Sequence, residues 1–256
     1  MTRAFRLVRR NAVAYRHKWY ASVFLNFLQP TLYLAAMGLG LGRLVDAGGA
    51  SLPGGVSYLT FFGPGLLAAS CMQTACFESS WPISSRMTWH RNYEAIASTP
   101  LGVVDIVVGE LTWIGVRLLS VATTFAVVLW LFGAVQPLPA IEAVPAAVLT
   151  GLAFSAPVMA FAGYLSAGDN FNVMFRFIIT PLFLFSGVFF PVTRLPEILQ
   201  VVAAFTPLFH GVELTRGLAL HTLSWEAAAL HVAFLLVMLA VGIRAAVWTF
   251  SRKLQA

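Results

Sequence analysis

The sequence predicts an all-α polytopic membrane protein. It has six transmembrane helices, an interfacial helix ahead of the first, a polar cytoplasmic helix between spans two and three, and a re-entrant hairpin between spans five and six on the outer side. Three observations carry this reading. Of 256 residues, 59% are hydrophobic and only 10% charged, and the mean hydropathy is +0.82. A soluble domain carries about 25% charged residues, so this chain has too little charge to cover a soluble globule of its size. Apolar runs of the length that crosses a bilayer, about 20 residues, recur along it. Its Lys and Arg residues gather beside alternate runs. The whole of 1–256 reads as one transmembrane domain, with 1–20, 86–102 and 191–217 as its interfacial, polar and re-entrant parts.

Residues 3–20 precede any span. Phe5, Leu7, Val8, Ala12, Tyr15 and Trp19 share a broad apolar face flanked by arginines, the pattern of a helix lying on the cytoplasmic leaflet. The first apolar run covers Ser22 to Leu44 and the second Tyr58 to Ser80. The first is too long for a signal-peptide core, so no cleavable leader is expected. Cys71 and Cys76 lie on different faces of the second run and read as packing residues, with neither a disulfide nor a metal spacing.

A polar interval follows, RMTWHRNYEAIASTPLGVVD from Arg86 to Asp105. Its middle has helical spacing, and Thr99-Pro100 stops it, since proline cannot continue a helix interior. The third run covers Val103 to Phe132, the fourth Ala143 to Ala167, the fifth Val173 to Phe190 and the sixth Ala227 to Phe250. Between the last two, Pro191, Pro196 and Pro207 forbid one straight helix, and the piece from Leu195 to Phe205 is too short to cross and suits a re-entrant or an interfacial helix. Irregular backbone at membrane depth survives only when buried in protein or lining a wet cavity. The segment is therefore expected at the outer mouth of a pathway.

Arg3, Arg6, Arg9, Arg10, Arg16 and Lys18 stand before the first span, Arg86 and Arg91 after the second, Arg176 at the edge of the loop after the fourth, and Arg252 and Lys253 in the tail. The alternate loops hold only Arg43, then none, then Arg194 and Arg216. The positive-inside rule places both termini in the cytoplasm. It also accounts for the net charge of +6 without nucleic acid as a partner.

Chemistry is sparse. His17, His90, His210, His221 and His231 show no metal spacing, and no Gly-rich phosphate loop is present. His210 and Glu213 share a helix face, a pair that suits an outer-surface polar contact better than a metal or a proton shuttle. Ionisable residues inside predicted spans are functional candidates by default. These are Glu78, Glu110 and Arg117. Arg117 has three options: Glu110 two turns away, Glu78 of the second span, or snorkelling. Phe183, Phe185 and Phe189 belong to a phenylalanine cluster on the fifth span, either helix packing or a wall tolerant of an amphipathic substrate. A membrane enzyme would need convergent polar groups at one leaflet, and a stand-alone carrier would need paired acids or a repeat. Neither pattern is persuasive.

Local strings carry a resemblance over almost the whole chain: FFGPGLLAAS (Phe61 to Ser70), NYEAIASTPLGVVDIVVGELTW (Asn92 to Trp113), LFSGVFFPVTRLP (Leu184 to Pro196) and FTPLFHGVELTRGL (Phe205 to Leu218). With the order of elements, they resemble the membrane subunit of ABC-2-type exporters, closest to the NodJ-like and DrrB-like branch implicated in lipo-oligosaccharide and drug export. The resemblance implies a permease of the bacterial plasma membrane. It would pair with a second copy or a related permease and be driven by two separate ATPase subunits that hold ATP and Mg, with no cofactor on this chain. It implies that the polar helix is a coupling helix, with Arg91, Tyr93, Glu94, Ala95, Ala97 and Thr99 at the ATPase. It also implies that the segment holding Pro191, Arg194, Pro196, Pro207, His210 and Glu213 caps the exit.

Overall fold

The computed structural model describes residues 2–16, 19–48, 52, 55–88, 93, 101–165 and 171–255. Among them every regular element is helical. Helix α1 (Thr2–Tyr15) is amphipathic. It buries Leu7 and Asn11 while Phe5, Arg6 and Arg9 stay exposed. Helix α2 (Trp19–Leu34) runs through Pro30 into a π-helical stretch, Ala35–Gly42, and then α3 (Arg43–Ala47). The glycines of AAMGLGLG suit this wider turn, because they let the neighbouring helix approach: a side chain on Gly38 would run into Leu59.

Helix α4 (Tyr58–Ser79) starts at Ser57, whose hydroxyl accepts from the Thr60 amide at 3.3 Å. A short α5 (Trp81–Thr88) follows at its foot. Helices α6 (Val103–Leu131) and α7 (Pro137–Tyr164) form a long antiparallel pair, turned at Gly133 with φ +69°, a conformation open to glycine. Pro137 opens α7, where its missing N–H costs nothing.

Helix α7 is the axis of the molecule. It packs on α4, on α6, on α11 (Pro207–Ala219) and on the last helix, α12 (Trp225–Gln255). Its most apolar stretch is 61% buried, against 18% for the first span. Lipid tails are as apolar as leucine, so helices in a bilayer associate through close backbone approach. A Cβ on Gly151 of α7 would come within 3.0 Å of the Cys71 carbonyl of α4. One on Gly242 of α12 would come within 2.6 Å of Pro157. One on Gly211 of α11 would overlap Thr150.

Among the described residues four helices are long and apolar enough to cross a membrane: Ser22–Ala47, Val103–Leu131, Pro137–Tyr164 and Trp225–Leu254. They match the first, third, fourth and sixth expected spans. At 22 residues α4 is also long enough, but it carries Gln73, Thr74 and Glu78 and is buried by its neighbours. The fifth expected span is shorter than its apolar run. Helix α8 (Phe171–Met174), a π-turn at Phe175–Ile179 and α9 (Thr180–Phe185) give one 171–185 segment. It stops short of Phe190 because Gly187 adopts φ +82°, which ends the helix ahead of Pro191. Helix α10 (Glu197–Ala204) then meets α11 at 84°, a sharp bend that a broken span and a re-entrant loop would both show.

Candidate functional site

The strongest concentration of charge lies at one end of α6. Glu110 is two turns into the helix, and its side chain is 1% exposed. A buried carboxylate without partners costs several kcal/mol, yet this one has four donors. Arg86 Nη1 of α5 donates to Oε2 at 2.6 Å, and Asn11 Nδ2 of α1 to the same oxygen at 3.0 Å. Tyr93 Oη donates to Oε1 at 3.1 Å, and Arg10 Nη2 to Oε1 at 3.3 Å. Arg10 also donates to Asn11 Oδ1 at 3.1 Å, fixing the amide so that its NH₂ faces the carboxylate. One side chain therefore ties together α1, α5, α6 and the polar interval.

Burial pulls the Arg86 guanidinium toward its neutral form, but Glu110 and Tyr93 outweigh this, and its pKa ends above the ordinary value. Burial pushes the Tyr93 phenol well up, and the Glu110 charge adds to that against the opposing pull of Arg86. Tyr93 thus remains a hydroxyl donor and Arg86 a cation at any ordinary pH.

Of the residues expected at a partner ATPase, Arg91, Glu94, Ala95, Ala97 and Thr99 lie outside the described residues. Tyr93 is described, and it points inward. It is fully buried, with its ring 5.9 Å from that of Phe250 on α12. In the sequence Glu110 stands out as a candidate, whereas Arg10 and Arg86 read only as topology charges and Asn11 has no role. An Asn one turn before Tyr15 on an otherwise apolar face was the available signal.

Arg117 settles on Glu78, not Glu110. Its Nε and Nη2 donate to Glu78 Oε1 at 3.3 and 3.2 Å, and its guanidinium lies 4.4 Å from the centre of the Tyr15 ring. Phe183 meets Phe189 edge-on at 5.0 Å, and Phe189 lies 5.5 Å from Phe62 of α4. Phe185 is not part of this contact; it is exposed on the outside of the bundle.

In the bent pair, Pro191 leads a 3₁₀ turn that contains Arg194. Pro196 caps α10 and Pro207 opens α11. His210 and Glu213 share the face that their spacing predicts but use different partners. His210 Nε2 faces the Ala204 carbonyl at 3.0 Å, so it must donate there. Its Nδ1 lies 2.8 Å from His231 Nδ1 of α12. Glu213 accepts from Arg216 Nη1 at 3.1 Å. Arg216, which the sequence offers only as an outer-loop charge, is buried and donates to the Phe61 carbonyl at 3.0 Å and the Gly187 carbonyl at 2.8 Å, stacked 3.8 Å over Phe61. It pins the bent pair to the head of α4. Among the described residues no cluster of three metal-capable side chains occurs.

Residues 2–220 match the family described as ABC-2 type transporter. The chain is similar to Nodulation protein J of Rhizobium leguminosarum bv. trifolii, 35% identical over 212 residues, which is 83% of this chain and 79% of that one. It is also similar to the Nodulation protein J of Bradyrhizobium diazoefficiens, 32% identical over 246 residues, or 96% and 92% of the two chains. Rhizobium meliloti has a further relative of that name, 34% identical over 83% of this chain and 79% of its own.

Proposed function

Because the chain belongs to the ABC-2 type transporter family, we propose that it is the membrane-spanning permease subunit of an ATP-driven exporter in a bacterial plasma membrane. It crosses six times with both termini in the cytoplasm. It pairs with a second permease and is driven by two separate ATPase subunits, which bind ATP and Mg and dock under residues 86–102. Its substrate is an amphiphile: a lipid-linked or glycolipid molecule such as a lipo-oligosaccharide, or a hydrophobic drug. The branch resemblance and the Nodulation protein J relatives support the first of these.

The single observation that carries the mechanism is the Glu110 node. A force applied to the polar interval reaches Tyr93, and Tyr93 is bonded to a carboxylate that also holds α1 and α5. These elements then move together, as a buried and fully satisfied polar network is rigid. Closing of two ATPase subunits under two permeases would rock these bodies and alternate access to the pathway. The Arg216-pinned bent pair would close the outer end.

The deciding experiment is purification of the tagged chain from its native membrane in mild detergent, with mass spectrometry of what accompanies it. A stoichiometric ATPase subunit is the expected result. A clean homo-oligomer without one would overturn the reading in favour of a stand-alone carrier or a membrane enzyme.

A further inference from the structure

A cavity of about 410 Å³ between α6 and α7 is lined by Leu119, Val127, Trp130, Ile141 and Val144, among others, and is almost wholly apolar. It suits an acyl chain and needs no further explanation in a bilayer. A second cavity, of about 440 Å³, lies between α2, α4, α6 and the 171–185 segment and has a different wall. Gln29 comes from α2, Gln73, Thr74 and Glu78 from α4, and Arg117 from α6. Phe175 and Phe183 close the remaining side. Arg117 is 14 residues into α6, about 21 Å along its axis at 1.5 Å per residue, so this wall lies at mid-length of that helix, with Gln29 on the exposed side of α2.

Polar side chains at such depth are costly and are retained for a function. Here they are also idle. The side chains of Gln29, Gln73 and Thr74 make no hydrogen bond among the described residues, and Arg117 Nη1 is buried without a partner. Arg117 spends Nε and Nη2 on a single oxygen of Glu78. The site therefore offers amide, hydroxyl, guanidinium and carboxylate groups beside aromatic rings, with the two charges cancelling. An anionic headgroup would meet the Glu78 carboxylate, and an acyl chain would leave every polar group unpaired. A hydroxyl-rich neutral group pairs with both donors and acceptors and lays its apolar face on a ring.

We propose that this cavity, bounded by Gln29, Gln73, Thr74, Glu78, Arg117 and Phe183, binds the uncharged polyhydroxyl headgroup of an amphiphile. It deepens the exporter reading and rests on it only for its place in transport, since binding itself needs no ATP.

The test uses the full chain in a sugar-free amphipathic polymer, photo-cross-linked with a diazirine-bearing alkyl glucoside and mapped by mass spectrometry. Label is expected on the peptides holding residues 73–78 and 175–183. Octyl glucoside should suppress it, whereas octanol and octyl phosphate should not. Gln73→Leu with Thr74→Val should weaken the octyl glucoside competition about tenfold, the loss of two ordinary hydrogen bonds. Gln29→Leu, on a more exposed helix, provides a second variant if the first fails to give a monodisperse protein. Equal suppression by octanol, stronger suppression by octyl phosphate, or label confined to other helices would each overturn the proposal. A chain that binds the glucoside here yet purifies without an ATPase would keep the site and lose the exporter reading.

Discussion

At the residue scale Glu110 is the node that joins α1, α5 and α6. Its charge sits where water does not reach, and it is held by two arginines that retain 39% and 25% of their side-chain exposure. Breaking a fully buried pair costs about 3–5 kcal/mol; partial exposure of the arginines lowers this, so Glu110→Gln should cost about 2–3 kcal/mol. The amide would also set its own NH₂ against the four donors. Thermal unfolding of the purified chain measures the loss. Trypsin should cut at Arg91 several-fold faster once Tyr93 loses its anchor, and an unchanged cleavage rate would mean that the node does not hold the polar interval. Tyr93→Phe removes one hydrogen bond to a charged group and should cost about 1.5 kcal/mol. The sign of its pH dependence follows from the raised values. Tyr93 and Arg86 both shift upward from their ordinary values on folding. Their contribution is therefore complete below those unfolded values and is lost only as pH rises through the folded ones. The gap between wild type and Tyr93→Phe should stay flat from pH 6 to pH 9, read from unfolding curves across that range. A gap that closes by pH 9 would show that the phenol is not held as a donor.

At the element scale the close contacts around α7 decide stability. A Cβ on Gly211 would overlap the Thr150 side chain, so Gly211→Ala should destabilise by about 1–3 kcal/mol through overpacking. Thr150→Ala in the same chain should recover part of that loss, and a double-mutant cycle on unfolding temperatures would show a non-additive pair. Additive losses would place α11 farther from α7 than the structure has it. Such contacts were not legible in the sequence. Apolar runs and prolines locate α4 and α6 to within a residue at each end, because span length and helix breaking are local properties, while α7 begins six residues ahead of its run and α12 outlasts its own by five. Which glycine faces which threonine depends on how the helices cross, which no local pattern records. The same distinction applies to the charges. Spacing allowed Arg117 to pair with Glu110 or with Glu78, and only the packing of α4 on α6 selects Glu78. Arg10, Asn11 and Arg86 reach Glu110 from positions 24 to 100 residues away in the chain, a convergence beyond any motif. Phe189 and Phe183 form a pair because the chain turns back at Gly187, a bend hidden inside what reads as one apolar run.

At the scale of the whole molecule the open physical question is which helices cross. Among the described residues length and apolarity qualify four, whereas the alternation of Lys and Arg along the chain fits six crossings between two cytoplasmic termini. Helix α4 carries Gln73, Thr74 and Glu78 and is largely buried by its neighbours, and a helix shielded by protein can cross without being apolar all round. The 171–185 segment, at 15 residues, falls short of the bilayer thickness; Phe171 and Phe175 pack on Trp81 of α5, while Val173, Phe177 and Ile178 stay exposed. Cysteine labelling separates the possibilities, since Cys71 and Cys76 are buried and should remain silent. In the six-span arrangement, single cysteines at Ser57, Gln136, Thr193 and Thr222 should react in intact cells with a membrane-impermeant maleimide. Cysteines at Arg9 and Arg252 should react only after permeabilisation. Each position reports on one crossing. If α4 does not cross, Gln136 moves to the inside while Ser57 stays outside. If the bent pair crosses in place of the 171–185 segment, Thr193 becomes internal while Thr222 remains external. Label at Ser57, Gln136, Thr193 and Thr222 together therefore requires both short or polar helices to span, and would make α10 and α11 a re-entrant cap held by Arg216 on the outer face.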